Sequence, residues 1–147
     1  MLNEQNQKLI FFFPKKPLVD SGAIYFESGI SAGFPSPADD FKQERLSLDN
    51  ELIKNKEATF FARVSGQSMI DAGLSDNDLL IIDRSLNPEH NRIAVCYLDG
   101  EFTVKRLIVK NGEVWLKPEN KNYEAIKITK ENDFVIWGIV TNVIKKV

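Results

Sequence analysis

The stretch "VSGQSMIDAGL" (64–74) holds the residues best placed to do chemistry. An apolar run leads into Gly66, the chain turns, and Ser68 is followed by apolar Met69 and Ile70. A serine leaving a strand at a glycine turn can present its hydroxyl and gather backbone N–H groups around a developing oxyanion. The pattern departs from the G-x-S-x-G hydrolase elbow, because Ile70 stands where the second glycine belongs. A nucleophilic serine needs a base. The single histidine, His90, lies in the polar turn "NPEHN" (87–91), which makes a Ser–His–Asp triad unattractive and reads as an exposed loop residue. Lysine can serve instead if it is neutral, and burial favours the neutral form. Moving a lysine from about 10.4 to about 7 corresponds to about 4–5 kcal/mol of differential destabilisation of the ammonium. Lys105 suits this role. It lies inside "FTVKRLIV" (102–109) and shares a strand face with Leu107 and Val109. Lys127 in "AIKIT" is the nearest rival, but its apolar neighbours fall on the opposite face. Taken singly, Ser68 also reads as turn chemistry and Lys105 as an exposed edge lysine.

The remaining inventory excludes several classes. With one cysteine and one histidine, a structural zinc site lacks its ligands and an intramolecular disulfide cannot form. No metal and no cofactor are expected. Cys96, within "IAVCYL" (93–98), reads as a small buried hydrophobe. A net charge of -2 gives no global basic field for nucleic acid, and no direct specific DNA binding is expected. The longest apolar runs, "LIFFF" (9–13) and "FVIWGIV" (134–140), are too short to span a bilayer as helices, and no signal-peptide pattern is present. A cytoplasmic location without membrane attachment is expected.

The elements that must position Ser68 and Lys105 follow from periodicity. Residues 1–35 read as an N-terminal arm. It starts polar, is broken by "PKKP" (14–17), and carries a short strand in "GAIYFESG" (22–29). Residues 36–147 read as one domain. Ser36, Pro37 and Asp39 form a helix start, so "ADDFKQERL" (38–46) is expected to be a short helix. "SLDNELIKN" (47–55) is a second, with Leu48, Leu52 and Ile53 inward. Strands are expected over 59–66, 78–84, 92–98, 101–109, 113–118, 123–129 and 134–147, separated by turn signals such as "LDGE" and "KNGE". The fold class is mainly β: an antiparallel, partly barrel-like sheet with short helices and a flexible arm.

One segment resists a structural reading. "ISAGFPSP" (30–37) has adjacent Ala32 and Gly33, then an aromatic and two prolines. It has no core-forming pattern and no catalytic group, and it suits a segment that is acted on.

"SGQSMIDAGLSDNDLLIIDR" (65–84), "DGEFTVKRL" (99–107) and "AGFPSPADDF" (32–41) together resemble the UmuD family, relatives of the LexA repressor among the Ser/Lys self-cleaving peptidases. The resemblance covers roughly residues 20–147. It implies a LexA-like peptidase domain with Ser68 as nucleophile and Lys105 as general base. The backbone N–H groups of Gln67 and Ser68 would form the oxyanion hole, and the bond cut would be the chain's own Ala32–Gly33 peptide. Small residues there let the backbone enter a tight site and bend. The resemblance further implies a homodimer whose self-cleavage is stimulated by a RecA–single-stranded DNA filament during the SOS response. The truncated product would join UmuC in translesion DNA polymerase V. LexA-type repressors carry a winged helix-turn-helix domain before the cleavage site. Here 32 residues precede Gly33, with Pro14 and Pro17 among them, so a three-helix DNA reader is not expected. Two other readings stand beside this one. One is a LexA-like regulator or interaction module without a polymerase role. The other is a signal-peptidase-like Ser/Lys enzyme, which would need a membrane anchor.

Overall fold

The computed structural model describes residues 10–12, 23–26, 32–33 and 43–147. The chain divides into two compact units, one of Met1–Pro14 with Asn55–Val147 and one of Lys15–Lys54.

The larger unit is built on an eight-stranded sheet. Its strands are β1 (Ile10–Phe12), β4 (Thr59–Arg63), β5 (Leu79–Asp83), β6 (Ile93–Leu98), β7 (Glu101–Lys110), β8 (Glu113–Lys117), β9 (Ile126–Lys127) and β10 (Phe134–Ile144). The order is β1-β4-β5-β10-β6-β7-β8-β9, and every pairing is antiparallel. The mainly β, antiparallel class expected from the sequence is therefore the observed one. Each strand expected after residue 58 is present, although 123–129 contributes only the two residues of β9.

Tight turns fix the register around Lys105. Asp99–Gly100 joins β6 to β7, and Asn111–Gly112 joins β7 to β8, with φ positive at all four residues. Asp-Gly and Asn-Gly are the pairs that two-residue hairpin turns of this hand select. The β6–β7 turn places Leu98 opposite Glu101 and, further along, Ala94 opposite Lys105 and Cys96 opposite Thr103. A slip of one residue would send Lys105 to the other face.

The core forms two clusters. One gathers Ala62, Val64, Met69, Leu74, Leu80, Ile82, Val95 and Val104, and the other Ala94, Cys96, Leu107, Leu116 and Ile139. β7 supplies both, Val104 to the first and Leu107 to the second, as strand alternation requires. β10 lies between β5 and β6 and carries two register shifts, at Val140/Asn142 toward β5 and at Ile136/Gly138 toward β6. Gly138 allows a close approach there: an added Cβ would lie 2.6 Å from Ile82 Cγ2.

In the smaller unit, β2 (Ala23–Phe26) pairs antiparallel with β3 (Gln43–Leu46), Ala23 opposite Leu46 and Phe26 opposite Gln43. This corrects the helix expected over 38–46. Its last four residues are strand, because Ala-Ile-Tyr-Phe needs a partner and pairing overrides the helical preference of "QERL". The helix start at Ser36, Pro37 and Asp39 lies outside the described residues. The second expected helix is α1 (Leu48–Leu52), but Leu48 does not face inward: it is 62% exposed, while Ile53 just after the helix is buried. Five residues make too short a helix to hold an inward stripe at both ends.

Candidate functional site

The Ser68 turn is an excursion between β4 and β5 closed at its base by the backbone. Val64 N–H donates to the Asp78 carbonyl at 2.9 Å, and Asn77 N–H donates to the Val64 carbonyl at 2.8 Å. Gly66 takes φ of 93°, a conformation glycine adopts without steric cost, and its N–H donates to Asp76 Oδ1 at 2.9 Å. Beyond Ser68, a single 3-10 turn (Ile70–Ala72) ends at Gly73, φ 81°. Met69 and Leu74 point into the first core cluster and anchor the turn on both sides of Ile70. Ser68 itself is 3% exposed.

Lys105 comes to this turn from the middle of β7. It is 7% exposed, and Leu107, on the same face, is fully buried, whereas Val109 near the strand end is exposed. Lys105 Nζ donates to Ser68 Oγ at 3.2 Å, to Thr103 Oγ1 at 2.7 Å and to the Val104 carbonyl at 3.2 Å. The structure thus brings together two sequence-derived candidates 37 residues apart. A tetrahedral nitrogen held this way is aimed. In the neutral amine two N–H bonds can serve Thr103 and Val104 while the lone pair accepts the Ser68 proton.

The peptide linking Gln67 to Ser68 is held from its carbonyl side. Ile70 N–H donates to the Gln67 carbonyl at 3.2 Å, and Asn120 Nδ2 donates to the same oxygen at 2.8 Å. No described peptide is cis. In a planar trans peptide the N–H points opposite to the C=O, so fixing the Gln67 carbonyl fixes the direction of the Ser68 N–H.

The other candidates are placed as follows. Ala32 and Gly33 are both exposed, in a bend of the smaller unit. Lys127 is exposed and pairs with Glu113 at 2.8 Å. His90 is exposed, and its Nδ1 accepts from Val109 N–H at 3.0 Å. Cys96 is fully buried; burial pushes its thiol up to about 12, partly opposed by the charge of Lys105. Among the described residues no group of three or more His, Cys, Asp or Glu is disposed to hold a metal. No helix among them is long and apolar enough to cross a membrane.

The structure adds Thr103, Glu119, Asn120 and Arg106, none of which stands out in the sequence. Thr103 carries a usable signal, since it lies two residues before Lys105 on the same face. Glu119 and Asn120 carry no local signal, because their partners lie about fifty residues earlier.

Residues 23–141 match the Peptidase S24-like family. The chain is 42% identical to MucA of Salmonella typhimurium over 119 residues, 80% of this chain and 81% of that protein. It is 39% identical to ImpA of Escherichia coli over 139 residues, 93% of this chain and 94% of that one. SamA of Salmonella typhimurium is 38% identical over 138 residues, 94% and 96% of the two chains. The matched region spans the Ser68 turn, the Lys105 strand and the Ala32–Gly33 bend, and by it the chain belongs to the Peptidase S24-like family, with the UmuD-type relatives that its motifs resemble.

Proposed function

We propose that this chain cuts its own backbone between Ala32 and Gly33, with Ser68 as nucleophile and Lys105 as general base. The observation that carries the reading is the 3.2 Å contact between Lys105 Nζ and Ser68 Oγ, with both side chains buried. Neutral Lys105 takes the hydroxyl proton as Ser68 Oγ bonds to the Ala32 carbonyl carbon. The oxyanion is received by the N–H groups of Gln67 and Ser68. Lys105 then returns the proton to the Gly33 nitrogen as the peptide bond breaks, leaving Ala32 esterified to Ser68. A water, deprotonated by Lys105, attacks the Ala32 carbonyl carbon, and Lys105 passes that proton to Ser68 Oγ as the ester C–O bond breaks. The products are a fragment ending in the Ala32 carboxylate and one starting at the Gly33 amine.

A tethered substrate explains how so sparse a site can suffice. The tether gives a high effective concentration, so a deep specificity pocket is not required. Size should then limit the scissile pair. Among the described residues, a Cβ added at Gly33 would meet nothing within 4 Å, so a side chain there has no described neighbour to clash with. Gly33→Val should therefore leave folding intact and block cleavage through the bound geometry, while Ala32→Ser should cut nearly normally. Cleavage of both at the parental rate would show that size does not limit the site.

The UmuD-type resemblance supplies the setting. In this reading the uncut chain is a cytoplasmic homodimer, and a RecA filament on single-stranded DNA stimulates the cut after DNA damage. The form starting at Gly33, which keeps the whole second region (36–147), then joins UmuC in an error-prone polymerase. The test is to incubate the full chain at alkaline pH, and separately with activated RecA, and to measure fragment masses. A fragment beginning at Gly33 is expected from the parent and not from Ser68→Ala. The same fragment at the same rate from Ser68→Ala would remove Ser68 from the mechanism.

A further inference from the structure

The segment after β8 closes over the Ser68 turn through contacts at alternate positions. Asn120 Nδ2 donates to the Gln67 carbonyl at 2.8 Å. Glu119 N–H donates to Met69 Sδ at 3.4 Å, and the Glu119 carbonyl accepts from Asp71 N–H at 2.8 Å. Residues 67, 69 and 71 are thus bracketed by two consecutive residues, with Ser68 inside the bracket. The bracket is tied in turn to the strand that carries the base. The Glu119 carboxylate pairs with Arg106 Nε, one residue after Lys105, and Arg106 Nη1 donates to the Asn91 carbonyl at 2.6 Å.

The orientation of the Asn120 amide is fixed by both of its ends. Its Oδ1 accepts from Asn122 N–H at 2.9 Å, which leaves Nδ2 as the group facing Gln67. The two bonds have separable roles. The Oδ1 bond shapes Asn120's own loop. The Nδ2 bond reaches across 53 residues to the peptide whose N–H belongs to Ser68.

From this geometry we propose that Asn120 is a positioning residue for the oxyanion site: its amide holds the Gln67–Ser68 peptide in the orientation that aims the Ser68 N–H at the scissile carbonyl oxygen. The inference rests on the Ser/Lys reading above. Asn120 does not touch the reacting atoms and takes no proton. It fixes one end of a rigid peptide unit, and the catalytic donor is at the other end. Preorganised donors help because they are already aimed when charge develops. Without Asn120 the Gln67 carbonyl keeps only the longer, 3.2 Å bond from Ile70 N–H, within its own turn; a peptide freer to rock loses that advantage, and misplacement by about 1 Å can cost on the order of 10²-fold.

Two full-length variants separate this role from a structural one. Asn120→Asp keeps the size of the side chain and the oxygen that accepts from Asn122, and replaces the donor to Gln67 with a charged carboxylate oxygen that cannot donate. Asn120→Ala removes both bonds. Self-cleavage is followed across pH, alongside melting temperature and labelling of Ser68 by a fluorophosphonate probe. Both variants should show an alkaline plateau about 10- to 100-fold below the parent, with slower labelling. In Asn120→Ala the midpoint of the pH rise, which belongs to Lys105, should stay where it is in the parent. A parental plateau in Asn120→Asp would overturn the proposal, because Asn120 would then act only through its own loop. So would a plateau within about twofold of the parent in both variants. A midpoint that moves up in Asn120→Ala together with a lower melting temperature would also overturn it, as the mark of a loosened site that lets water onto Lys105. If the parent neither cuts itself nor takes the probe, the Ser/Lys reading fails and this inference falls with it. With a parent active in both assays, a failure in the variants counts against Asn120 alone.

Discussion

The two halves of the candidate site are built by different means. Lys105 is placed by regular structure: a ten-residue strand, paired with β6 over 101–106 and with β8 over 106–110, with its register set by Asp-Gly and Asn-Gly turns. Ser68 is placed by irregular structure: a loop with two positive-φ glycines, closed at its base by Asp78 and bracketed by Glu119 and Asn120. A strand holds a side chain's direction through many equivalent hydrogen bonds, so no single one is decisive. A loop relies on a few particular bonds, each of which matters more. The placement of Lys105 is therefore expected to be robust to substitutions around it, and that of Ser68 sensitive.

Substitution of Ser68 and Lys105, the proposed reacting groups, has the largest expected effect and should not distinguish the halves. Lys105→Arg and Ser68→Ala should each lower self-cleavage on the order of 10⁴-fold or more, because groups acting as one unit fail together. Arginine stays protonated and cannot accept the serine proton. In the parent the rate should rise with pH as the lysine fraction in the neutral form grows. Cys96 does not confuse that profile, since burial holds its thiol up at about 12 despite the nearby Lys105 charge. A flat rate from about pH 6 to about pH 10 would contradict a lysine base.

How far each half is legible in the sequence follows the same division. The strand carrying Lys105 is readable because period-two alternation puts it beside Leu107, and the flanking turns announce themselves as "DG" and "NG". Ser68 is readable as a residue type at a glycine turn. Its bracket is not, because "PENKN" looks like any polar turn and its partners are remote in sequence. The strand at Gln43–Leu46 is hidden for the same kind of reason. Its partner, β2, lies across sixteen intervening residues, and "QERL" taken locally suits a helix. Spacing alone turns Leu48 inward, but spacing does not reveal how short α1 is.

A smaller effect should come from the frame that both halves share. β10 pairs with β5, which leaves the Ser68 loop, and with β6, which pairs with the Lys105 strand. Gly138→Ala would set a methyl 2.6 Å from Ile82 Cγ2 and 3.2 Å from Arg84 Cγ. Ile82 is fully buried and has little room to give. Overpacking of this kind costs about 1–3 kcal/mol. The melting temperature should fall, while the cleavage rate per folded molecule, measured well below the melt, should stay near the parental value. Selective loss of cleavage without a change in melting would mean that β10 tunes the site rather than supporting it.

The smallest expected effect lies at the base of the nucleophile loop, and it appears in acid rather than in alkali. Asp78 is buried. Burial alone would raise its carboxyl, but the Lys145 ammonium and the Ser75 N–H, 2.8 Å from Oδ2, hold it below the ordinary carboxylate value. Asp83 is also held low: burial again opposes, and Ser85 Oγ at 2.6 Å, Asn55 Nδ2 at 2.9 Å and Ser85 N–H at 2.8 Å outweigh it. A carboxylate whose folded pKa is depressed binds fewer protons in the folded state than in the unfolded one. Its stabilisation is present above the unfolded value, about 3.8, and is lost as pH falls through the lower folded value. Lys145 is more than one-third exposed, so solvent screens its share of the Asp78 interaction. Asp78→Asn should therefore cost only about 1 kcal/mol at neutral pH, since the amide oxygen can still accept from Ser75. The urea midpoint of the variant should fall less steeply than that of the parent as pH is lowered from about 5 to about 2. The alkaline cleavage profile should keep its midpoint, because Asp78 closes the loop from behind and Lys105 answers to Thr103 and Val104. An unchanged acid slope in Asp78→Asn would assign the acid sensitivity to Asp83 and the β5 end of the sheet instead of to the loop that carries Ser68.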